Sequence, residues 1–539
     1  MGDMMLSTTN MIKYGAALPC CAYSDCSSVG YLPINMVNGF GMDDEGRHDN
    51  HKRAMSMWKG NYCKDAENSI LFDVGGIYPI GEMRIWNFNQ KDQTQYGIKH
   101  CKIYHGIDKV NFQLVGEFAL NLADGCERID ATDVIDLKGV SAQYIKLVVE
   151  AHDEEYFGLS EVKFTVGEGI MVVRDEAWTD LFRCYEGWTG SDGIFSIPFN
   201  HLETFGNEET KTLFLFSDTF IGNVDRKSYK RTFTMVNNTL GIMKESVPKK
   251  ENIRFIHRVN EEGKAGNCFD PEGEDHFALK YENYFWLQDG IIIDNYLYFT
   301  ALNVFHDENG PEGLKFGIGE VTMIKCPMEE DAPRWEDYEL ISTPLHHDTG
   351  DGRVFIGCGI FPNTEAAGME HADDYLYVYG YKALGKRSDL VVSRVKPEYI
   401  ERFDAWEYYT GQGWSKDIRD ITVVCENVSH EISVNYMPSG LFAGKYILVF
   451  TKNISSPIVG YRVSDTPYGP FSDMTEIYYC DEGEAGYAIT TYNAKAHPHL
   501  SKAGELLVSY NVNTLSMETH YKNGDVYRPR FIRFVEITK

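Results

Sequence analysis

An all-β chain of two domains, a β-sandwich followed by a five-bladed β-propeller, is the fold class this sequence predicts. Three observations lead there. Short apolar runs alternate with polar residues between turn formers throughout, and no helical period takes over. Tyr and Phe, 34 and 30 of the 539 residues, weight the composition towards strands. After residue 167 one unit returns five times: a nine-residue strand with a shorter strand before it and another behind.

The totals narrow the partners. A length of 539 exceeds one ordinary core, so several domains are expected. The balance of 51 basic against 80 acidic residues, a formal −29, repels nucleic acid and anionic membranes. No run of 18 apolar residues occurs, so no helical span is expected. The start, "MGDMMLSTTNMIKYGAALPCCAY", has neither the basic n-region nor the apolar h-region of a signal peptide. Twelve cysteines contain no C-x-x-C pair, and several (Cys184, Cys358, Cys425) sit inside apolar runs. The expectation is a reducing, cytoplasmic setting, or secretion if a leader has been removed.

Taken in order, residues 1–34 read as an N-terminal extension and 35–166 as the sandwich. Its strands are "SILFDVGG", "GEMRIWNFNQ", "YGIKHCKIYHG", "FQLVGEFALN", "AQYIKLVVEAH" and "LSEVKFTV", parted by Gly, Asn and Asp clusters. This ordered series resembles the discoidin, or coagulation factor five/eight type C, jelly-roll domain. The resemblance implies either a carbohydrate-binding module or a packing module without a ligand.

Residues 167–539 carry the repeat. Its central strands are "TLFLFSDTF" (212–220), "NYLYFTALN" (295–303), "DYLYVYGYK" (374–382), "KYILVFTKN" (445–453) and "ELLVSYNVN" (505–513). A propeller places the first strand of each blade along the central channel. The polar residues beside those first strands are Asp192, Asp289, Asn363 with Glu365, Glu431, and His497. Their convergence at one end of the channel is the expected site.

Asp192 and Asp218 stand out. "GIFSIPF" and "TLFLFSDTF" form a hairpin whose register sets Asp192 opposite Asp218, Ser196 opposite Phe214 and Phe199 opposite Lys211. Opposed carboxylates repel, so at least one pKa should rise. A bulge that turned one of them outward would undo the pair.

"TGSDGIFSIPF…LFLFSDTFIG…MVNNT" and "YNAKAHPHLS…LLVSYNVN" resemble a family of bacterial five-bladed propellers long grouped as a domain of unknown function, which includes endo-acting D-arabinan hydrolases. The resemblance implies a catalytic pair formed by the Asp of a "GDG" and the Asp of a "GDT" motif, here Asp192 and Asp218. "SDT" replaces "GDT", and the loop between the motifs is longer.

The expected activity is a glycoside hydrolase cleaving an oligo- or polysaccharide, a furanoside among the candidates, with retention of configuration. Asp192 is assigned nucleophile and Asp218 acid/base, with the reverse left open; Glu431 or Glu365 is the acid, with Asp192 as base, if the reaction inverts instead. Trp188, Asn237, Trp286, Asp289, Asn363, Glu365 and His497 are candidate substrate contacts. No cofactor is required, although His497, Asp289 and Glu431 would be the ligands of a structural divalent cation. The rival readings are a lectin-like propeller without catalysis and a metal-dependent esterase or lyase acting on a glycan through His497.

Overall fold

The computed structural model describes residues 12–539 except 52–55, 151, 208, 278–282, 311–314 and 487. The first eleven residues of the quoted N-terminal stretch therefore lie outside the described residues. The chain divides into two compact units, one of 1–173 with 534–539 and the other of 174–533. The division falls seven residues later than the sequence reading put it, and the last six residues return to the first unit.

The first unit is antiparallel. Strand Asn68–Asn87 pairs with Asp133–Val149 and with Tyr156–Val166; Asp133–Val149 also pairs with His100–Gly106, and His100–Gly106 with Gln113–Ala119. Alternate residues of these strands, among them Ile70, Phe72, Met83, Ile103, Leu147 and Phe164, close one core. Residues 12–34 are no free extension, because Cys21–Tyr23 adds to the edge of Asn68–Asn87 at Leu71–Asp73.

The second unit is a propeller-like ring of antiparallel sheets. The first sheet begins with β1 (Glu186–Pro198) and β2 (Thr212–Val224), and three further strands build outwards. The next three sheets have inner hairpins that begin at β3 (Asn283–Ile293), β4 (Arg353–Asn363) and β5 (Ser433–Met437), with His346–Asp348 added beside β4. The hairpin of β6 (Ile489–Ala496) and β7 (Glu505–Thr514) follows. β1 packs on β3, β3 on β4, β4 on β5, β5 on β6, and β7 returns to β1. Each nine-residue repeat is the second strand of its group, as the sequence predicts.

Between neighbouring sheets lie apolar seams. Phe195, Leu213, Leu215 and Leu240 of the first sheet meet Phe285, Leu287 and Phe299 of the second. These faces are apolar on alternate residues, which is why period-two reading finds the strands.

One feature recurs around the ring. The inner strands break register against their partners at Ser191–Phe195, Leu287–Gly290, Ile356–Gly359 and Tyr492–Lys495. A bulge re-aims a side chain and sharpens the local twist. The ring therefore carries its irregular backbone at one level, and Asp192 stands there.

Candidate active site

β1 and β2 pair as expected on both sides of their bulge, with Ser196 opposite Phe214 and the Phe199 N–H on the Lys211 carbonyl at 2.9 Å. Between them Ser191 opposes Thr219 and Gly193 opposes Phe216, so Asp192 faces both Ser217 and Asp218. The aspartates are bulge neighbours and not a regular cross-strand pair. Both strands also run on past them, to Glu186 and Val224, so the pair sits mid-strand.

The backbone at the bulge is left-handed, with φ of 80° at Gly193 and 86° at Ile194. A Cβ on Gly193 would stand 2.9 Å from the Ser217 nitrogen, so glycine is required there. Ile194 has no such excuse; a β-branched residue at positive φ is a genuine outlier that its surroundings must hold.

Asp192 is partly buried. Tyr492 donates its hydroxyl to Oδ2 at 2.9 Å, and Tyr527 offers a second phenol. Burial pushes its pKa well up, and the charges of Asp218 and Glu431 push it further. Asp218 rises only to about 6, because burial is opposed by the Asn237 amide, which donates to Oδ1 at 2.9 Å, and by the Trp286 indole N–H facing the carboxyl. That N–H makes no hydrogen bond of ordinary geometry. Asp218 therefore ionises first, and its charge then holds the proton on Asp192.

Glu431 joins the pair from the start of β5. Its Oε2 lies 2.5 Å from Nζ of Lys495, whose side chain is 2% exposed. Asn237 is held in turn: its N–H donates to Asn267 Oδ1 at 2.7 Å, and Asn267 donates to Asp270 at 2.7 Å.

The other expected contacts part company. Asp289 and His497 line a polar cavity of about 40 Å³ further along the inner strands, with Ser196, Glu203, Asn435 and His499. Asp289 accepts the N–H of Gly290 at 2.9 Å and that of Ile360 at 2.7 Å, and burial pushes its pKa to about 7. His497 is fully enclosed, with Nδ1 on Ser196 at 2.7 Å and Nε2 on Ser509 at 2.8 Å.

His497, Asp289 and Glu431 form no ligand set for a cation, since Glu431 pairs with Lys495 instead. Among the described residues no three His, Cys, Asp or Glu side chains are arranged to hold a metal.

Three placements correct the sequence reading. Trp188 is 2% exposed and stacks on Phe255 at 4.5 Å, so it belongs to the core. Asn363 is buried at the end of β4, where its carbonyl accepts the N–H groups of Asp373 and Asp374. Glu365 is exposed in the turn beyond. At the level of Asp192, β4 presents Gly357–Cys358–Gly359, which has no polar side chain to notice.

The residues that sequence reasoning passed over are Tyr492, Lys495, Asn511 and Tyr527. A lysine inside the strand "YNAKA" was the available signal.

A ring of antiparallel sheets with three carboxyls gathered at the bulge of its first hairpin defines a propeller-like protein with an acidic site. The family model described as "Domain of unknown function (DUF5005)" matches residues 175–537, and the chain belongs to that family. A solved structure from Bacteroides ovatus, described as a "putative hydrolase", is similar at 18% identity and a TM-score of 0.52. It covers 68% of this chain and 90% of its own.

Over 28% of this chain there is likeness to a family 89 glycoside hydrolase of Clostridium perfringens, at 16% identity, 15% of that chain and a TM-score of 0.21. The isolated family 32 module of that enzyme, solved with GalNAc-β-1,3-galactose, matches at 18% identity, 100% of that chain and a TM-score of 0.22. No curated protein matches the sequence.

Proposed function

We propose that the second unit is a five-bladed propeller, its fifth blade built on β6 and β7, and that it hydrolyses a glycosidic bond in an oligo- or polysaccharide with Asp192 and Asp218. The observation that carries this reading is the pair of carboxyls at one bulge, Asp218 pushed to about 6 and Asp192 pushed well above its ordinary 3.8 by burial and by the charges of Asp218 and Glu431. Glycosidic cleavage needs one carboxylic acid and one carboxylate near the same bond. A protein that only binds sugar gains nothing from confining two repelling acids.

The protonation order reverses the sequence-based roles. Asp192 keeps its proton and donates it to the departing oxygen; Asp218, ionised first, attacks the anomeric carbon. Water then enters as Asp192 takes its proton, and the glycosyl–Asp218 bond breaks with net retention. The place of the two carboxyls on facing strands of one bulge supports retention, which needs them about 5–5.5 Å apart with no room for an intervening water. Asn237 and the Trp286 N–H stand at Asp218 as donors that favour its ionised form. The similarity to the Bacteroides ovatus structure is consistent with a hydrolase.

A panel of furanoside and pyranoside polymers, incubated with wild type and with Asp192→Asn, tests the reading. Hydrolysis by wild type and none by the variant is expected. Equal hydrolysis by both removes Asp192 from the mechanism. Proton NMR of the first product then reads the anomer, and initial inversion would move the acid to Glu431.

A further inference from the structure

Two side chains from the far end of the sequence grip both backbone polar groups of Gly193, beside Asp192. Lys495 on β6 donates Nζ to the Gly193 carbonyl at 2.9 Å. Asn511 on β7, its amide oriented to satisfy both atoms, donates to the same carbonyl at 3.2 Å and accepts the Gly193 N–H at 2.9 Å. We propose that Lys495 and Asn511 are positioning residues for the reaction, clamping the two peptide groups that flank the Gly193 Cα so that the Asp192 carboxyl holds one direction. This deepens the glycosidase reading and rests on it.

Gly193 and Ile194 are both left-handed, and no side-chain preference of Ile194 maintains that conformation. Strain of this kind persists only where neighbours over-determine it. The clamp supplies both halves of the constraint, because the carbonyl has two donors and the N–H has an acceptor.

Lys495 is itself fixed on three sides. Besides Gly193 it meets Glu431 Oε2 at 2.5 Å, and its ammonium lies 4.6 Å from the Phe195 ring centre. Asn511 is 1% exposed. A lysine is almost never buried without a partner, and a buried ion pair often stabilises a fold no better than apolar residues do. The pair is therefore better explained by what it holds in place.

Clamping an acid has a signature that general stability lacks. A glycoside with an unactivated leaving group needs the acid's proton; a 2,4-dinitrophenyl glycoside leaves without it. Asn511→Ala should lower kcat/KM on the unactivated glycan about 10²-fold, the loss an atomic-scale misplacement brings. It should change kcat/KM on the dinitrophenyl glycoside of the same sugar by less than about 3-fold, because that constant reports the first bond cleavage, where this leaving group needs no acid. Lys495→Met should repeat that split.

Equal losses on both substrates, or no loss on the glycan in a folded variant, would overturn the clamp. Amide exchange at Gly193 and Ile194 gives a second reading, independent of any substrate. Exchange should quicken in Asn511→Ala, and unchanged protection there also overturns the proposal. If wild type cleaves no glycoside at all, the glycosidase reading fails while the exchange result still judges the clamp.

Discussion

Asp192 and Asp289 stand in nearly the same words, Ser-Asp-Gly-Ile and Gln-Asp-Gly-Ile, at the bulges of neighbouring inner strands. Burial raises the pKa of both. Their partners differ. Asp289 gives both oxygens to backbone N–H groups and ties the second sheet to the third through Ile360. Asp192 accepts from two phenols and has carboxylates beside it. An aspartate spent on backbone donors is a staple, whereas one held by side-chain hydroxyls next to another acid stays free to exchange a proton.

The largest expected effect breaks the comparison on the side of Asp192. Asp192→Asn and Asp218→Asn should each lower turnover roughly 10²–10⁴-fold, the range that general acid–base groups contribute. Stability should move the other way. An aspartate whose folded pKa is raised binds its proton more tightly folded than unfolded, so stability falls as pH rises from the ordinary value of 3.8 through the folded one. Asp192→Asn removes that loss. Its melting temperature should exceed that of wild type at pH 8 and converge with it towards pH 4. Melting curves across that range, read beside activity, check both halves.

Asp289→Ala should do the opposite. It orphans two backbone donors, at a cost on the order of 1–3 kcal/mol each, and should leave kcat within a few-fold. The sign can be worked out. Wild-type Asp289, with a folded pKa of about 7 against 3.8, is most stabilising below pH 4 and least above pH 7. The alanine variant lacks that titration, so its deficit should be greatest below pH 4, shrink between pH 4 and 7, and level off above 7. A deficit that grows with pH would mean Asp289 works ionised, and the comparison with Asp192 would fail.

The comparison also shows what was legible beforehand. The register of β1 and β2 followed from turn placement and alternation, and Ser196 does face Phe214. The bulge did not follow, because the conformation at Gly193 and Ile194 depends on Lys495 and Asn511, some 300 residues away. Asp192 and Asp289 could not be told apart either, since the Ile360 N–H that claims Asp289 arrives from another sheet. Trp188 and Trp286 are the same kind of residue in similar runs; only packing sends one to Phe255 and the other to Asp218. On β4 the polar side chains nearest the bulge in the sequence are Asn363 and, beyond it, Glu365, because Gly357–Cys358–Gly359 carries no side-chain carboxyl, amide or hydroxyl.

A smaller effect tests the Asp218 side. Trp286→Phe removes the indole N–H that favours the ionised form of Asp218, so that carboxyl should titrate above about 6. The acid limb of kcat/KM should move up by less than about one unit, with a loss near 10-fold at its plateau if the N–H also binds a sugar hydroxyl. A limb that moves down would mean Trp286 acts by excluding water rather than by donating.

The smallest effect belongs to Tyr492. Its hydroxyl donates to Asp192 Oδ2 at 2.9 Å and accepts from Asn513 Nδ2 at 3.2 Å. A donor to a carboxylate favours ionisation, so Tyr492 opposes the burial and the two charges that keep Asp192 protonated. Tyr492→Phe removes that opposition, and Asp192 should hold its proton to higher pH. The alkaline limb of kcat/KM should therefore shift upward while the acid limb, set by Asp218, stays put. The shift should be a few tenths of a unit to about one, because Tyr527 still donates. Movement of the acid limb instead would assign the proton to Asp218, restoring the roles read from the sequence, and no other variant of this set separates the two assignments so directly.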